Sequence, residues 1–235
     1  MSFSPLVVWH DLECGQYSAD LALWDELAAR EPGPILDVGA GTGRVSLVLA
    51  ALGHDVTALD REPALLDALR GRRGGERVRT AVADARDFAL DRRFGLILVP
   101  MQTIQLLPER AGFFAAAREH LAEGGLLALA IAAALEDFGE LDGIAPDTGA
   151  LGSWRFESLP VAVRALGTAT RIERVRTTVA PDGGVTEEDD VIELVNVTAE
   201  QLEAEGRAVG LTPEPVLLIP ETDEYIGAEV VMLRG

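Results

Sequence analysis

The sequence predicts a doubly wound α/β sheet, and three observations carry that expectation. Between Pro34 and about Ala132, short apolar runs alternate with helical patterns. The runs are continuous rather than alternating in polarity, as in strands covered on both faces. The first of them ends in a glycine-rich turn that opens directly into a helix. Repeats of this kind build a mostly parallel sheet with helices on both sides.

Each element has its own signal. Ile35-Leu36-Asp37-Val38-Gly39 reads as the first buried strand, and 42–52 as the helix that follows. Residues 54–60 form the next strand and 62–70 the next helix, with Pro63 suited to its first turn. Residues 78–84, 94–99 and 125–132 supply three more strands, with a helix over 108–121 between the last two. Ahead of the sheet, Tyr17 to Arg30 places Leu21, Trp24, Leu27 and Ala28 on one stripe, as in an amphipathic helix that caps the sheet.

The second half reads differently. Glu136 to Pro160 is rich in Gly, Asp and Pro yet contains Trp154 and Phe156, and is expected to be a mobile lid. Strand-like runs follow over 161–180 and 185–197, joined by the turn Pro181-Asp182-Gly183-Gly184. A helix over 198–209 opens with the capping box Thr198-Ala199-Glu200-Gln201. Two strands, 215–220 and 225–233, close the chain.

Composition narrows the function. The chain has 235 residues, 39 acidic and 20 basic, and with no lysine every basic group other than the three histidines is an arginine. Lysine chemistry, from Schiff bases to the P-loop, is thereby excluded. The formal charge of −19 disfavours nucleic acid and anionic membrane surfaces as partners. The single cysteine, Cys14, makes no internal disulfide and no cysteine-rich metal site, and no metal is expected. Met1-Ser2-Phe3-Ser4-Pro5 lacks the pattern of a signal peptide, and the longest apolar run, Leu126 to Leu135, is too short for a membrane span. A cytoplasmic enzyme or binding protein, monomer or homodimer, acting on a small molecule is the expectation.

The sharpest motif is Asp37-Val38-Gly39-Ala40-Gly41-Thr42-Gly43, at the junction of the first strand and helix. Glycines there let the backbone turn tightly and approach a bulky ligand, and the helix start offers N–H groups to its anionic part. A dinucleotide fingerprint would want glycine where Arg44 stands. Asp60 ends the second strand, where such folds set a carboxylate against a ribose. Asp84 follows the third strand, where a carboxylate can accept from an adenine amino group. For each acid taken singly, a helix cap or a solvated loop position is the alternative.

On these residues the chain resembles the class I S-adenosylmethionine-dependent methyltransferases, most strongly over Tyr17 to Ala132. Ile35–Val45 is similar to the family's first motif, Asp60 to its ribose-binding acid and Asp84 to its adenine-binding acid. The resemblance implies a Rossmann-like seven-stranded sheet with an antiparallel last strand, an N-terminal capping helix and a small inserted β-region. It implies one methyltransferase domain over 1–235, with 1–30 as an N-terminal cap and 133–197 as lid and inserted strands over the substrate site. The cofactor is then S-adenosylmethionine and the product S-adenosylhomocysteine. Tyr17, Asp37, Gly39, Ala40, Gly41, Thr42, Gly43, Asp60, Arg61, Asp84, Ala85, Pro100 and Met101 are the implied cofactor residues. Core packing is the alternative for Tyr17. The inserted strands, with Asp87–Asp91 and Arg171–Asp190, also resemble amino-sugar N,N-dimethyltransferases.

Departures from specialised branches point to small-molecule acceptors on N, O or C. Val99-Pro100-Met101-Gln102 stands where adenine- and glutamine-directed enzymes have an Asn/Asp-Pro-Pro-aromatic motif, and Cys14 follows Glu13 rather than proline. His10 is the candidate general base and Gln102 the second candidate catalytic residue. Trp9, Gln105, Trp154 and Arg155 are candidate acceptor residues. For His10, Trp154 and Arg155 the alternative is a packed terminus or loop. His54 and His120 read as structural, and Arg44 as helix surface or cofactor rim. The competing function is a protein that binds the same cofactor without turnover.

Overall fold

The computed structural model describes residues 3–132, 137–222 and 225–235. In chain order the elements are helices α1 (Pro5–Cys14) and α2 (Leu21–Arg30), strand β1 (Ile35–Val38), α3 (Arg44–Ala51), β2 (Val56–Asp60), α4 (Pro63–Gly71), β3 (Arg79–Val82) and β4 (Phe94–Val99). Then come α5 (Ala111–His120), β5 (Leu121–Ala132), β6 (Gly139–Glu140), β7 (Asp147–Leu151), β8 (Trp154–Ala165), β9 (Ala169–Val179) and β10 (Val185–Val195). The chain ends with α6 (Ala199–Ala208), β11 (Thr212–Ile219) and β12 (Ala228–Arg234). These elements form two compact units.

The larger unit runs from Tyr17 into β5 and resumes at Val197. It holds a seven-stranded sheet in the order β11-β12-β5-β4-β1-β2-β3. β3, β2, β1, β4 and β5 pair in parallel, while β12 runs antiparallel between β5 and β11. The doubly wound sheet with its antiparallel last strand is therefore present as expected. Alternation along each buried strand sends side chains to two cores. On one face Ile35, Val56, Leu96 and Leu126 pack with Trp24, Leu27, Leu49 and Leu66 of α2, α3 and α4. On the other, Leu36, Leu59, Ile97 and Leu127 pack with Phe113, Phe114 and Leu202 of α5 and α6. Arg234 ties the chain end to the close of α2 through both oxygens of Glu31, at 2.6 and 3.0 Å, and to Glu214 at 2.7 Å.

The smaller unit joins α1 to β6–β10. Its sheet is ordered β10-β9-β8-β6, all antiparallel, with β7 also paired to β8. Trp9 and Leu12 of α1 pack on Phe156 of β8, with Trp9 and Phe156 edge to face at 5.5 Å. A charged cluster lies beside them. Arg176 donates to both oxygens of Glu13 at 2.7 Å and pairs with Asp190 at 2.7 Å, and Ser158 donates to Glu13 at 2.8 Å.

Several boundaries differ from expectation. The supposed lid over 136–160 contains β6, β7 and the start of β8, because Trp154 and Phe156 are strand residues with Phe156 turned into the small core. Residues 133–136 of that segment, and Met1 and Ser2 of the expected cap, lie outside the described residues. The run over 161–180 is parts of two strands, broken where Gly167 takes φ 77. β5 starts at Leu121 because its register with β4 shifts between Phe94 and Leu96, accommodating Ala122–Gly125 as a bulge. Helix α1 had no signal in the sequence: Leu6 is exposed while Trp9 and Leu12 are buried, so its apolar residues do not form one clean stripe. α2 begins only at Leu21, leaving Tyr17 ahead of it.

Truncating Phe113, fully buried between α5 and the sheet, tests the second core. Phe113→Ala should lower unfolding free energy by about 3–5 kcal/mol in urea denaturation; a loss below about 1 kcal/mol would show that the ring is not packed as described.

Candidate functional site

The glycine turn is built by exclusion of side chains. Gly39, Gly41 and Gly43 have φ of 72, 55 and 92°, values that L side chains seldom adopt. A Cβ on Gly39 would fall 2.4 Å from the Thr103 methyl, and one on Gly43 2.7 Å from Leu69. The turn's own amides are largely committed. Gly39 and Ala40 N–H donate to the Leu59 carbonyl at 2.8 and 3.0 Å, and Gly43 N–H to Ala40. Gly41 N–H donates to Asp60 Oδ2 at 2.8 Å. The expectation that this stretch presents unpaired amides to an anion is therefore corrected for those four residues; what the turn offers is close backbone approach. Thr42 is buried within it.

Asp60 closes β2 as expected and is nearly buried. Its Oδ1 accepts from Glu62 N–H at 2.9 Å, so one carboxylate joins the glycine turn to the start of α4. A carboxylate has about four acceptor positions, and these two bonds leave room for a ligand hydroxyl. Arg61 next to it is exposed, 74% by side chain, and pairs loosely with Glu62.

Asp37 lies under the turn. Its Oδ2 accepts from Ser46 Oγ at 2.6 Å, while Oδ1 is buried without a hydrogen-bond partner. Burial pushes its pKa up to about 6, against the hydrogen bonds from Ser46 and the charge of Arg44. Asp84 lies past the end of β3, in the loop, with Ala85 half-buried beside it. Arg86 donates to both Asp84 oxygens at 2.9 and 2.6 Å, and this pair holds the carboxyl down at about 2. An adenine amino group would share that carboxylate with Arg86.

Asp20 had no signal in the sequence. It is fully buried and accepts from both terminal nitrogens of Arg44 at 2.5 and 2.7 Å, and from Trp24 Nε1 at 2.8 Å. Arg44 also donates to the Tyr17 carbonyl at 2.9 Å, and its guanidinium stands 5.1 Å from the Tyr17 ring centre. Arg44 is therefore a half-buried strut between the starts of α2 and α3, which corrects its reading as helix surface or cofactor rim. An acid four residues before a tryptophan, with an arginine just after the glycine turn, was the available clue.

Beyond the turn lies a pocket lined by Tyr17, Asp20, Met101, Gln102, Tyr225 and Ile226, over a floor from β5, β11 and β12. Tyr17 and Tyr225 meet edge to face at 4.9 Å. Burial raises the Tyr17 pKa, with the Asp20 charge adding to it. Met101, after the buried Pro100, takes φ 54, the one positive φ outside glycine among the described residues. That conformation costs roughly 1–2 kcal/mol and is the kind of strain found at functional sites. The structure thus brings Tyr17, Met101 and Gln102 together in one pocket, while Asp37 in β1 and Asp60 at the end of β2 flank the turn that holds Gly39 and Gly41. Gln105 is instead buried and accepts from Ala132 N–H at 2.8 Å, capping β5.

Trp9, His10, Trp154 and Arg155 belong to the smaller unit. Trp9 is buried, His10 and Trp154 are half-buried, and Arg155 is exposed. Trp154 meets Phe3 edge to face at 5.2 Å. In the larger unit His120 is structural as expected: Nε2 accepts from Leu90 N–H and Nδ1 faces the Ala116 carbonyl, both at 2.8 Å. Among the described residues no three His, Cys, Asp or Glu side chains are grouped to hold a metal, and no helix is long and apolar enough to cross a membrane.

Residues 35–125, from β1 through the glycine turn and Asp60 into β5, match a family described as a methyltransferase domain. This stretch is similar to that family. Over 94 residues the chain is 34% identical to the cypemycin N-terminal methyltransferase of a Streptomyces species, covering 39% of this chain and 38% of that protein. The match thus spans well under half of that relative. A solved amino pentose methyltransferase of calicheamicin biosynthesis, from Micromonospora echinaspora, is 23% identical with a TM-score of 0.70, covering 100% of this chain and 98% of that one. A sugar N-methyltransferase from a Streptoalloteichus species is 22% identical with a TM-score of 0.77, covering 100% and 95%. At these identities the shared property is the fold.

The matched stretch carries a pH signature at Asp37. The folded chain keeps this carboxyl protonated up to about pH 6, whereas the unfolded chain ionises it near 3.8. Below about pH 4 the group costs nothing; between about 4 and 6 stability falls as the unfolded state ionises first; above 6 the full penalty remains. Asp37→Asn should remove part of that decline, read as urea midpoints at intervals from pH 4 to 7. An unaltered pH dependence would show that Asp37 is not a buried acid.

Proposed function

We propose that this chain is an S-adenosylmethionine-dependent methyltransferase whose acceptor is an amine nitrogen of a small molecule. The observation that carries the cofactor reading is the Asp60 carboxylate, held by Gly41 N–H at 2.8 Å beside a turn too tight at Gly39 and Gly43 to take a Cβ. Asp60 would hold the ribose, and the turn with Thr42 would lie against the body of the cofactor. Asp37 Oδ1, buried with no hydrogen-bond partner, fits a cationic amino group close to the turn. Tyr17, Pro100 and Met101 would border the methionine end, and Asp84 with Ala85 and Arg61 the adenine end.

When bound, the cofactor supplies a methyl carbon already activated by the sulfonium, ready for in-line displacement. The chain's part is to hold the acceptor nitrogen near attack distance and to exclude water. Gln102, in the pocket next to Met101, is the candidate to orient that nitrogen. His10 is the candidate to accept the proton that an ammonium acceptor must lose. The smaller unit, with Trp9, Trp154 and Arg155, is assigned to acceptor selection. Two things favour nitrogen over oxygen or carbon. A net charge of −19 raises the local concentration of cations. The similar sugar and peptide enzymes include one named as an N-methyltransferase and one named as N-terminal.

Asp60→Ala tests the reading. A charged acceptor to a hydroxyl is worth roughly 1.5–3 kcal/mol, so S-adenosylmethionine affinity by calorimetry should fall by more than tenfold in a variant that remains folded by circular dichroism. Unchanged affinity would remove Asp60 from the ribose role.

A further inference from the structure

The connection between β3 and β4, residues 83–93, carries Asp84 but has no strand or helix of its own. Arg86 grips the Asp84 carboxylate with its backbone N–H and its guanidinium. It stands only two residues away, so that pair travels with the loop and does not place it. Ala83 N–H donates to the Asp60 carbonyl at 3.1 Å, which fixes where the loop leaves the sheet. Beyond that point the loop is held by α5, at both ends of the helix.

The first hold is steric. Gly112, in the first turn of α5, lies against the Arg86 carbonyl oxygen, where any Cβ would clash. The second is polar. His120, the last residue of α5, is buried, and its Nε2 accepts from Leu90 N–H at 2.8 Å. Its ring centre stands 4.8 Å from that of Phe88, itself buried in the core between α5 and the sheet. A ring nitrogen that accepts carries no hydrogen, so Nδ1 holds the proton and donates to the Ala116 carbonyl at 2.8 Å. One rigid ring thus takes its orientation from α5 on one side and gives the loop a fixed acceptor on the other. Packing alone would be served by an apolar side chain of similar size.

We infer that His120 is a positioning residue for the adenine end of the site, setting through Leu90 and Phe88 where the Asp84 carboxylate stands. The inference rests on the cofactor reading above, in which Asp84 accepts from the adenine amino group. A carboxylate separates an amino group from a carbonyl only within hydrogen-bond reach, so a displaced loop loses selectivity for the base.

Calorimetric titration with S-adenosylhomocysteine and S-inosylhomocysteine, which has a carbonyl in place of the adenine amino group, reads this without an acceptor. The unaltered chain should prefer the adenine compound by about tenfold or more. His120→Leu should lower that ratio by about fivefold or more, because Leu90 N–H loses its acceptor. His120→Gln, whose amide oxygen can stand in for Nε2, should keep the ratio within about twofold. Where leucine disturbs the fold by circular dichroism, His120→Asn serves with the same expected loss, since its shorter amide stands in for Nδ1 alone. A ratio that does not move, whether or not both affinities fall together, would overturn the positioning role and leave His120 as a core residue. A glutamine variant that behaves like leucine would overturn it too. Equal binding of both compounds by the unaltered chain would remove Asp84 from the adenine role and the inference with it, and binding of neither would mean that the cofactor reading itself fails. Those two results need no variant and so are distinct from failure at His120.

Discussion

The constraint on which the rest of the larger unit depends is steric: the backbone between β1 and α3 must turn where no Cβ fits. Gly39 packs against Thr103 and Gly43 against Leu69, so the turn is fixed at once by the segment after β4 and by α4. Asp60 then binds Gly41 from β2, and the Asp20–Arg44 pair braces the helix start from α2. Each of these contacts comes from a different element. The strands end together because β1 pairs in parallel with β2 on one side and β4 on the other, which is how open α/β sheets collect a binding site at their carboxyl edge.

Buried charge is arranged around that turn with unequal support. Asp20 is matched by a two-pronged guanidinium and an indole N–H, and removing one partner of such a pair leaves a charge with no water to receive it. Asp37 has a single hydroxyl at one oxygen and nothing recorded at the other, and its pKa rises accordingly. An incompletely satisfied buried acid next to a well-satisfied one is the kind of local cost that clusters at functional sites. The strained φ of Met101, a few residues along β4's exit, fits the same pattern.

Much of the larger unit was legible in the sequence, for physical reasons. Strands buried on both faces leave largely apolar runs, and β1, β2 and β4 did so. The glycine turn was legible because sterics leave no other residue there. β3, at the sheet edge with mixed burial, ended earlier than its apolar letters suggested, and Asp84 fell into a loop with Arg86. Asp20 and Tyr225 were not legible, since a buried acid and a pocket-lining tyrosine look like surface letters until the fold supplies Arg44 and Tyr17. Gln105 carried an amide suited to an acceptor, but the backbone N–H at the end of β5 claimed it. In the smaller unit the polar, largely solvent-accessible strands obscured the pattern: Trp154 and Phe156 in a Gly- and Asp-rich stretch read as a lid, yet both lie in a strand and Phe156 is in the small core.

The measurement that bears most directly on the central claim is calorimetric titration of the unaltered chain with S-adenosylmethionine, with NAD as the control dinucleotide. The account predicts saturable micromolar binding of S-adenosylmethionine, one per chain, and none of NAD, because Arg44 stands where the dinucleotide turn needs glycine. Binding of NAD, or of neither compound, would mean that the turn, Asp60 and the aromatic pocket serve some other ligand, and the methyl-transfer reading would be contradicted.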